Sequence, residues 1–306
     1  MRKKLGRILP WLVAIGLFAY LLSRFSPAEV AHNIRIAAGW TVPAIVGLVL
    51  LVYVADSFAI WKTFGWFVAR LSFKEVLVVR GATYLLAVVN YALGQGAIVY
   101  FVNRSRGVPV SRGTAAVLLV MGINVLVLLA LASLGLLFVP GHDRRLGLVV
   151  AVAYAGLLVY VVLVLAKPRF LTSKPIFDVL LAARLTDYLK AMAARIPHLL
   201  SLMILTYTSM RAFHIVVPLG QAVLCLPMVY FVAVLPITPL GLGTTEFMMT
   251  TFFAKYAPGG SGAAVVASSM ALRAIAIVVQ CLLGFVCLKT QLAKDIAPPA
   301  EAEASA

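Results

Sequence analysis

Residues 232–253 read VAVLPITPLGLGTTEFMMTTFF. The stretch opens apolar, breaks at Pro236, Pro239, Gly241 and Gly243, and carries Glu246 just inside a second apolar run. Backbone that is neither helix nor strand persists at membrane depth only where protein or a water-filled cavity surrounds it. A carboxylate beside such a break is costly unless paired, and so marks a candidate site. A plainer reading stands beside this one. Pro and Gly make a loop, and Glu246 caps the following helix by reaching back three residues to Gly243. The two roles are compatible.

The membrane reading extends to the whole chain. Of 306 residues, 63% are hydrophobic and 12% charged, with a mean hydropathy of +1.05. Apolar runs of about 18 residues or more mean membrane-spanning helices. The net charge is +16. In a soluble protein it would suggest nucleic acid. Here the basic residues cluster between apolar runs, where they set topology and touch anionic lipid, so no nucleic-acid partner is expected. Cys225, Cys281 and Cys287 all lie in apolar runs. No CxxC or Cys/His spacing implies a metal site, and no disulfide is implied.

Working outward, Ile8–Leu22 follows Arg2, Lys3, Lys4 and Arg7 without a clear A-x-A cleavage site, and reads as an uncleaved first span. Further spans are expected at Trp40–Ile60, Thr114–Val139, Leu146–Leu165, Leu199–Val217 and Ala264–Leu288. Phe73–Asn103 contains Arg80 and Asn90, then a break at Leu93-Gly94-Gln95-Gly96. Ala166–Pro197 is the longest polar connection; a helix along the cytoplasmic surface and a solvated linker both fit it. Tyr207, Arg211 and His214 are spaced to share one helix face. Ser269, Arg273 and Gln280 do so roughly. The last residues, about 291–306, read as a disordered cytoplasmic tail.

Leu93-Gly94-Gln95-Gly96 and Leu240-Gly241-Leu242-Gly243 are similar motifs, each between a longer and a shorter apolar leg. A Gly and a small-residue helix start follow each, Gly113-Thr114-Ala115 and Gly262-Ala263-Ala264. Broken hydrophobic segments at matching places of two halves point to a transporter-type site. With each broken segment a re-entrant hairpin, the halves are inverted. Eighteen Lys and Arg then lie inside, five outside and three within apolar segments, together the 26 of the chain. This bias fits six spans, two hairpins and both termini in the cytoplasm better than eight plain spans. The expected fold is an all-α polytopic membrane protein of one integral domain, 1–290, with pseudo-repeats of about 1–145 and 146–290.

Asp56 and Glu246 are the only acids inside apolar runs, and Arg80, Arg211, Arg273 and His214 are the intramembrane bases. Each charge at a helix centre costs about 2.5–3.5 kcal/mol on insertion scales, so these groups ask for partners or water. Asp56 and Arg80 lie near segment ends and also have the option of reaching the interface. Arg273 is the first choice of partner for Glu246, and Arg80 the second. Gly94, Gly96, Gly241 and Gly243 complete the candidate cavity residues. No GxSxG, HExxH, P-loop or dinucleotide fingerprint occurs, so no catalytic residue or cofactor is expected. Arginine beside helix N-termini suits a phosphate or another anionic headgroup.

Pro239-Leu240-Gly241-Leu242-Gly243-Thr244-Thr245-Glu246 is similar to the P-x-G-[LI]-G-x-x-E pattern of the membrane part of lysylphosphatidylglycerol synthases and of their stand-alone, flippase-like relatives. The first break, followed by Arg104, Arg106, Gly107, Val108 and Pro109, also resembles the family. The acid and arginine usual just after that break stand here as Ala97 and Tyr100. The resemblance covers roughly Trp40–Leu288. It implies an inner-membrane protein that binds, and in the flippase-like reading translocates, an anionic or glycosylated lipid. The alternative is a non-transporting subunit that anchors or supplies a separate lipid-modifying enzyme, docked on Lys167–Arg195. In the family the aminoacyl-transferring domain is soluble and follows the membrane part. With the chain ending at Ala306, no synthesis of aminoacylated lipid is expected.

Overall fold

The computed structural model describes residues 27–296, except 36, 38, 90, 139–143, 168, 173, 235–237 and 239–240. The expected first span at Ile8–Leu22 and the last ten residues lie outside this range. Among the described residues there is no strand. The principal helices are α1 (Pro27–Arg35), α2 (Thr41–Phe67), α3 (Phe73–Val89), α4 (Tyr91–Arg106), α5 (Val110–Phe138), α6 (Arg144–Ala166), α7 (Leu185–Ala212), α8 (Leu219–Val234), α9 (Thr244–Phe253) and α10 (Gly262–Ile296). Three short turns of helix, Arg169–Thr172, Pro175–Phe177 and Asp178–Ala182, join α6 to α7.

Helices α2, α5, α7 and α10 are long and apolar enough to cross a membrane. Their length follows from runs without charge: in a bilayer every backbone N–H and C=O must bond internally, and the helix does this within one segment. The expected span at Leu146–Leu165 falls in α6, whose Leu148, Val152, Leu158 and Val159 are exposed. The chain is thus an all-α, multi-pass membrane protein.

Four elements meet at one end of the molecule. Arg106 Nη2 donates to both carboxylate oxygens of Glu75, at 2.7 and 2.9 Å. Arg112 Nη2 donates to the Phe67 carbonyl at 3.1 Å, and Trp61 Nε1 to the Leu71 carbonyl at 2.8 Å. The end of α2, the start of α3, the end of α4 and the start of α5 are therefore neighbours, and α3–α4 is a hairpin that returns to its starting end. Local sequence opens it: Glu75 accepts from Ser72 N and Ser72 Oγ accepts from Glu75 N, a reciprocal cap. The tip reaches about halfway along α10. Gly81 lies against Cys287, Gly284 against Leu85, and Ala87 near the tip shares a cavity with Gln280.

Small residues set how closely the helices approach, as is general in membranes. α3 packs mainly on α10, α8 on α5, and α2 on α7. A Cβ on Gly135 would meet Leu224 Cα at 2.4 Å, and one on Gly284 would meet Leu85 Cγ at 2.5 Å. An apolar core of Met210, Phe213, Ile215, Leu224 and Phe253, with Val30 of α1, closes the far end.

Four expectations are corrected. Leu93–Gly96 is not a break: it lies inside α4, Tyr91–Arg106. Gly94 serves packing, because a Cβ there would stand 2.6 Å from Ala87 Cβ across the hairpin. Residues 185–197 are not surface helix or linker but the first half of α7, which runs through Pro197. Residues 291–296 continue α10 instead of starting a disordered tail. Tyr207, Arg211 and His214 do not share a face, because α7 ends at Ala212 and His214 has φ of 60°.

The two motif glycines therefore behave differently. Gly94→Ala is expected to destabilise by about 1–3 kcal/mol through overpacking against Ala87. Gly96→Ala, on an exposed helical position with nothing near its Cβ, is expected to be neutral or to stabilise by up to about 1 kcal/mol. Unfolding of both variants in mixed detergent micelles measures the contrast, and equal effects would contradict it.

Candidate functional site

Two buried carboxylates organise the interior. Asp56, mid-way along α2 and 1% exposed, is held between two guanidiniums. Arg80 Nε of α3 pairs with Oδ2, and Arg195 Nη1 of α7 pairs with Oδ1. His198 Nδ1 stands 3.7 Å from the same Oδ1 and 3.4 Å from the Val52 carbonyl. Arg195 Nε also donates to Asn124 Oδ1 of α5 at 3.0 Å. The Arg80 guanidinium lies 4.9 Å from the Tyr84 ring centroid. Helix packing puts these groups together. α2 and α7 lie side by side, and on α7 residues 195 and 198 are one turn apart on a face turned toward α2.

Glu246 is the second, with no exposed surface. The Gly-rich loop builds its place. Gly241 and Gly243 have φ of 67° and 79°, left-handed values that other residues adopt only at a cost of about 1–2 kcal/mol. The chain thereby turns into α9 with Gly243 N pointing at Glu246 Oε2, 2.7 Å away. The other oxygen, Oε1, accepts from Arg273 Nε at 3.2 Å and Nη2 at 3.1 Å. Glu246 thus caps a helix and holds an arginine at once, one role per oxygen. Arg273 is the partner expected first. Its side chain keeps 24% of its surface exposed.

Both arginines reach one cavity of about 350 Å³. Arg80 and Tyr84 enter it from the α3–α4 hairpin, Tyr230 and Thr245 from α8 and α9, and Arg273 and Gln280 from α10. Most of the remaining wall is apolar, including Val49, Val52, Leu202, Leu205, Val229 and Leu272. Tyr230 is fixed in the wall, since its hydroxyl donates to the Leu202 carbonyl at 2.7 Å and lies 2.6 Å from Thr206 Oγ1. The result is an amphipathic chamber with two anchored guanidiniums. None of Gly94, Gly96, Gly241 and Gly243 is among its lining residues. A second, smaller cavity of about 30 Å³ lies beside the Asp56 cluster, lined by Gln95, Asn124, Arg80 and Arg195.

The candidates thus divide. Asp56, Arg80 and Arg273 are buried or partly buried and line the two cavities, and Glu246 is buried behind Arg273. Gly241 and Gly243 shape the Glu246 loop. Arg211 and His214 are exposed at the end of α7 and take no part, Gly94 is a packing residue, and Gly96 is exposed. Arg195, His198, Asn124 and Gln95 were missed. One signal for Asn124 was available: it stands eleven residues after Gly113, as Arg273 stands eleven after Gly262.

The strong groups of this arrangement are guanidinium donors, each fixed by a buried carboxylate, and such donors suit anionic oxygens. The profile of the lysylphosphatidylglycerol synthase TM region matches residues 7–284. No curated protein matches the chain. With nearly the whole helical bundle matched, the chain belongs to the lysylphosphatidylglycerol synthase TM region family.

Proposed function

We propose that the protein binds the anionic headgroup of a membrane lipid in the 350 Å³ cavity and moves it across the bilayer. The carrying observation is that Arg80 and Arg273, from different parts of the chain, face one chamber, each oriented by a buried carboxylate. Guanidiniums bind phosphate oxygens with charge-assisted hydrogen bonds. The apolar wall suits the first part of the acyl chains. The family matched is named for a lipid synthase, which fits a lipid ligand.

In this reading the protein is built from two inverted repeats. Exchanging α2 with α7, α3 with α8 and α5 with α10 carries the main helix contacts onto one another, with α2–α7 mapping onto itself. The hairpins α3–α4 and α8–α9 are then re-entrant and meet at the bilayer centre, where transporter sites of this kind lie. Both termini face the cytoplasm, following the Lys/Arg bias.

The test is native mass spectrometry of co-purified lipid, with transport of fluorescent lipids in vesicles beside it. The Glu246→Gln/Arg273→Gln variant leaves no lone buried charge at that pair. Losing one guanidinium contact of about 1.5–3 kcal/mol lowers occupancy by anionic phospholipid at least tenfold. Unchanged occupancy refutes the site. Binding without transport, with a lipid-modifying enzyme co-purifying, supports instead a subunit that supplies lipid to that enzyme.

A further inference from the structure

Gln280 is an amide inside the bundle with no protein group bonded to it among the described residues. It is half-buried on α10 and lines the lipid chamber. Ser269, Arg273 and Ala276 line it too, recurring with Gln280 at helical spacing on one face of α10. Arg273 and Gln280 stand seven residues apart, which is about 10 Å along the helix axis. Ala276 between them, and Ala87 of the hairpin, put only a methyl group into the chamber. The wall is thus open between a guanidinium and an amide. Buried polar groups are ordinarily hydrogen-bonded, so an amide left open on a cavity is available to a ligand.

A hydroxyl is the matching group. The amide donates through its NH2 and accepts through its oxygen, and a hydroxyl also does both. An ammonium has donors only and brings a positive charge. No Asp or Glu is among the described residues that line the chamber. Glu246 and Asp56, 0% and 1% exposed, stand behind the guanidiniums they hold. Glu75 is paired with Arg106 at the exposed end of the hairpin. An ammonium in the chamber would meet guanidiniums and no carboxylate, and like charges repel more strongly there than in water.

We propose that Gln280 is a specificity residue of the chamber. With the lipid phosphate on Arg273, its amide hydrogen-bonds a hydroxyl of a polyol headgroup. The chamber therefore selects acidic phospholipids with such headgroups over phospholipids that carry an ammonium. This rests on the lipid reading of the chamber and adds which headgroups it takes. Glycerol and a sugar ring present the same hydroxyls.

Purified full-length protein in detergent is equilibrated with an equimolar mixture of phosphatidylglycerol, phosphatidylinositol, phosphatidylserine, phosphatidylethanolamine and phosphatidic acid of matched acyl chains. Native mass spectrometry reads the bound lipid. Phosphatidylserine and phosphatidylglycerol carry the same net charge, so their ratio isolates the headgroup chemistry. Either polyol lipid should exceed phosphatidylserine several-fold, and the one that leads tells glycerol from sugar recognition. Gln280→Leu should lower binding of the polyol lipids about three- to tenfold, the worth of one neutral hydrogen bond, and leave phosphatidic acid unchanged. Gln280→Glu supplies an acid and should shift the ratio toward phosphatidylethanolamine and phosphatidylserine. A merely structural glutamine would change all lipids alike, and that result overturns the proposal. Equal binding of phosphatidylserine and both polyol lipids by the wild type overturns it too. The Glu246→Gln/Arg273→Gln variant separates the two levels. If it retains every acidic lipid, the chamber assignment fails and this inference with it. If it loses them while Gln280→Leu leaves the lipid ratios unchanged, only this inference fails. Should Gln280→Leu not fold, the wild-type ratio and Gln280→Glu decide.

Discussion

Replacing Asp56 by asparagine is expected to be among the most damaging single changes in the membrane domain, costing about 3–5 kcal/mol of stability. Asp56 is 1% exposed and is the shared counter-charge of Arg80 and Arg195, themselves each about 9% exposed. Asparagine keeps the volume and removes the charge, so two guanidiniums are left facing each other in a low-dielectric interior. Removing the arginines as well should return much of the loss. The triple variant Asp56→Asn/Arg80→Gln/Arg195→Gln is expected to be more stable than Asp56→Asn alone, although it carries more substitutions. Folded yield and unfolding in mixed micelles measure both. A loss below about 1 kcal/mol for Asp56→Asn would show that water, not the carboxylate, solvates the arginines.

The second large effect lies at Glu246 and Arg273. Arg273→Gln strands a carboxylate with no exposed surface and is expected to cost about 3 kcal/mol. Glu246→Gln should cost less. The glutamine oxygen still accepts from Gly243 N, and Arg273, 24% exposed, has the cavity to turn into. The double variant should be more stable than the sum of the single losses predicts, because it leaves no orphan charge. The coupling expected for groups in direct contact is about 1–3 kcal/mol. Strict additivity in the same unfolding assay would mean that the two groups are solvated independently.

Both effects rest on a common design. In each case an arginine that faces a cavity is held from behind by a carboxylate out of reach of solvent. The arrangement fixes the guanidinium before any ligand arrives, which limits the ordering cost of binding. The two sites are not copies. Gly113 and Gly262 are equivalent in the repeat reading, and eleven residues after each stand Asn124 and Arg273. Asn124 serves Arg195, whereas Arg273 serves the chamber directly.

How far the sequence carried the reading depends on how local each interaction is. Composition and apolar run length determined the all-α membrane class, because unpaired backbone groups are intolerable in lipid and the helix satisfies them segment by segment. The Glu246 cap was legible from a spacing of three residues, and the positive φ at Gly241 and Gly243 from the Gly-rich loop before it. The return of α4 to the start of α3 was foreshadowed by the basic residues at Arg104–Arg112, and Arg106 is tied to Glu75. Where Leu93–Gly96 suggested a break, the glycine instead permits close packing on Ala87, a use indistinguishable in sequence from a loop.

Only the tertiary structure decided which charges are buried together. Arg195 sits in the most polar connection of the chain and reads as one surface charge among six. It becomes a site residue because α7 begins ten residues before it and lays it against Asp56, 139 positions away. Arg211 misleads the other way: it follows a long apolar run, yet it lies exposed in the last turn of α7. Hydropathy averages over a window along one helix, whereas burial of a charge depends on which face of that helix meets which neighbour. That is fixed by packing between segments far apart in the chain, and no local pattern contains it.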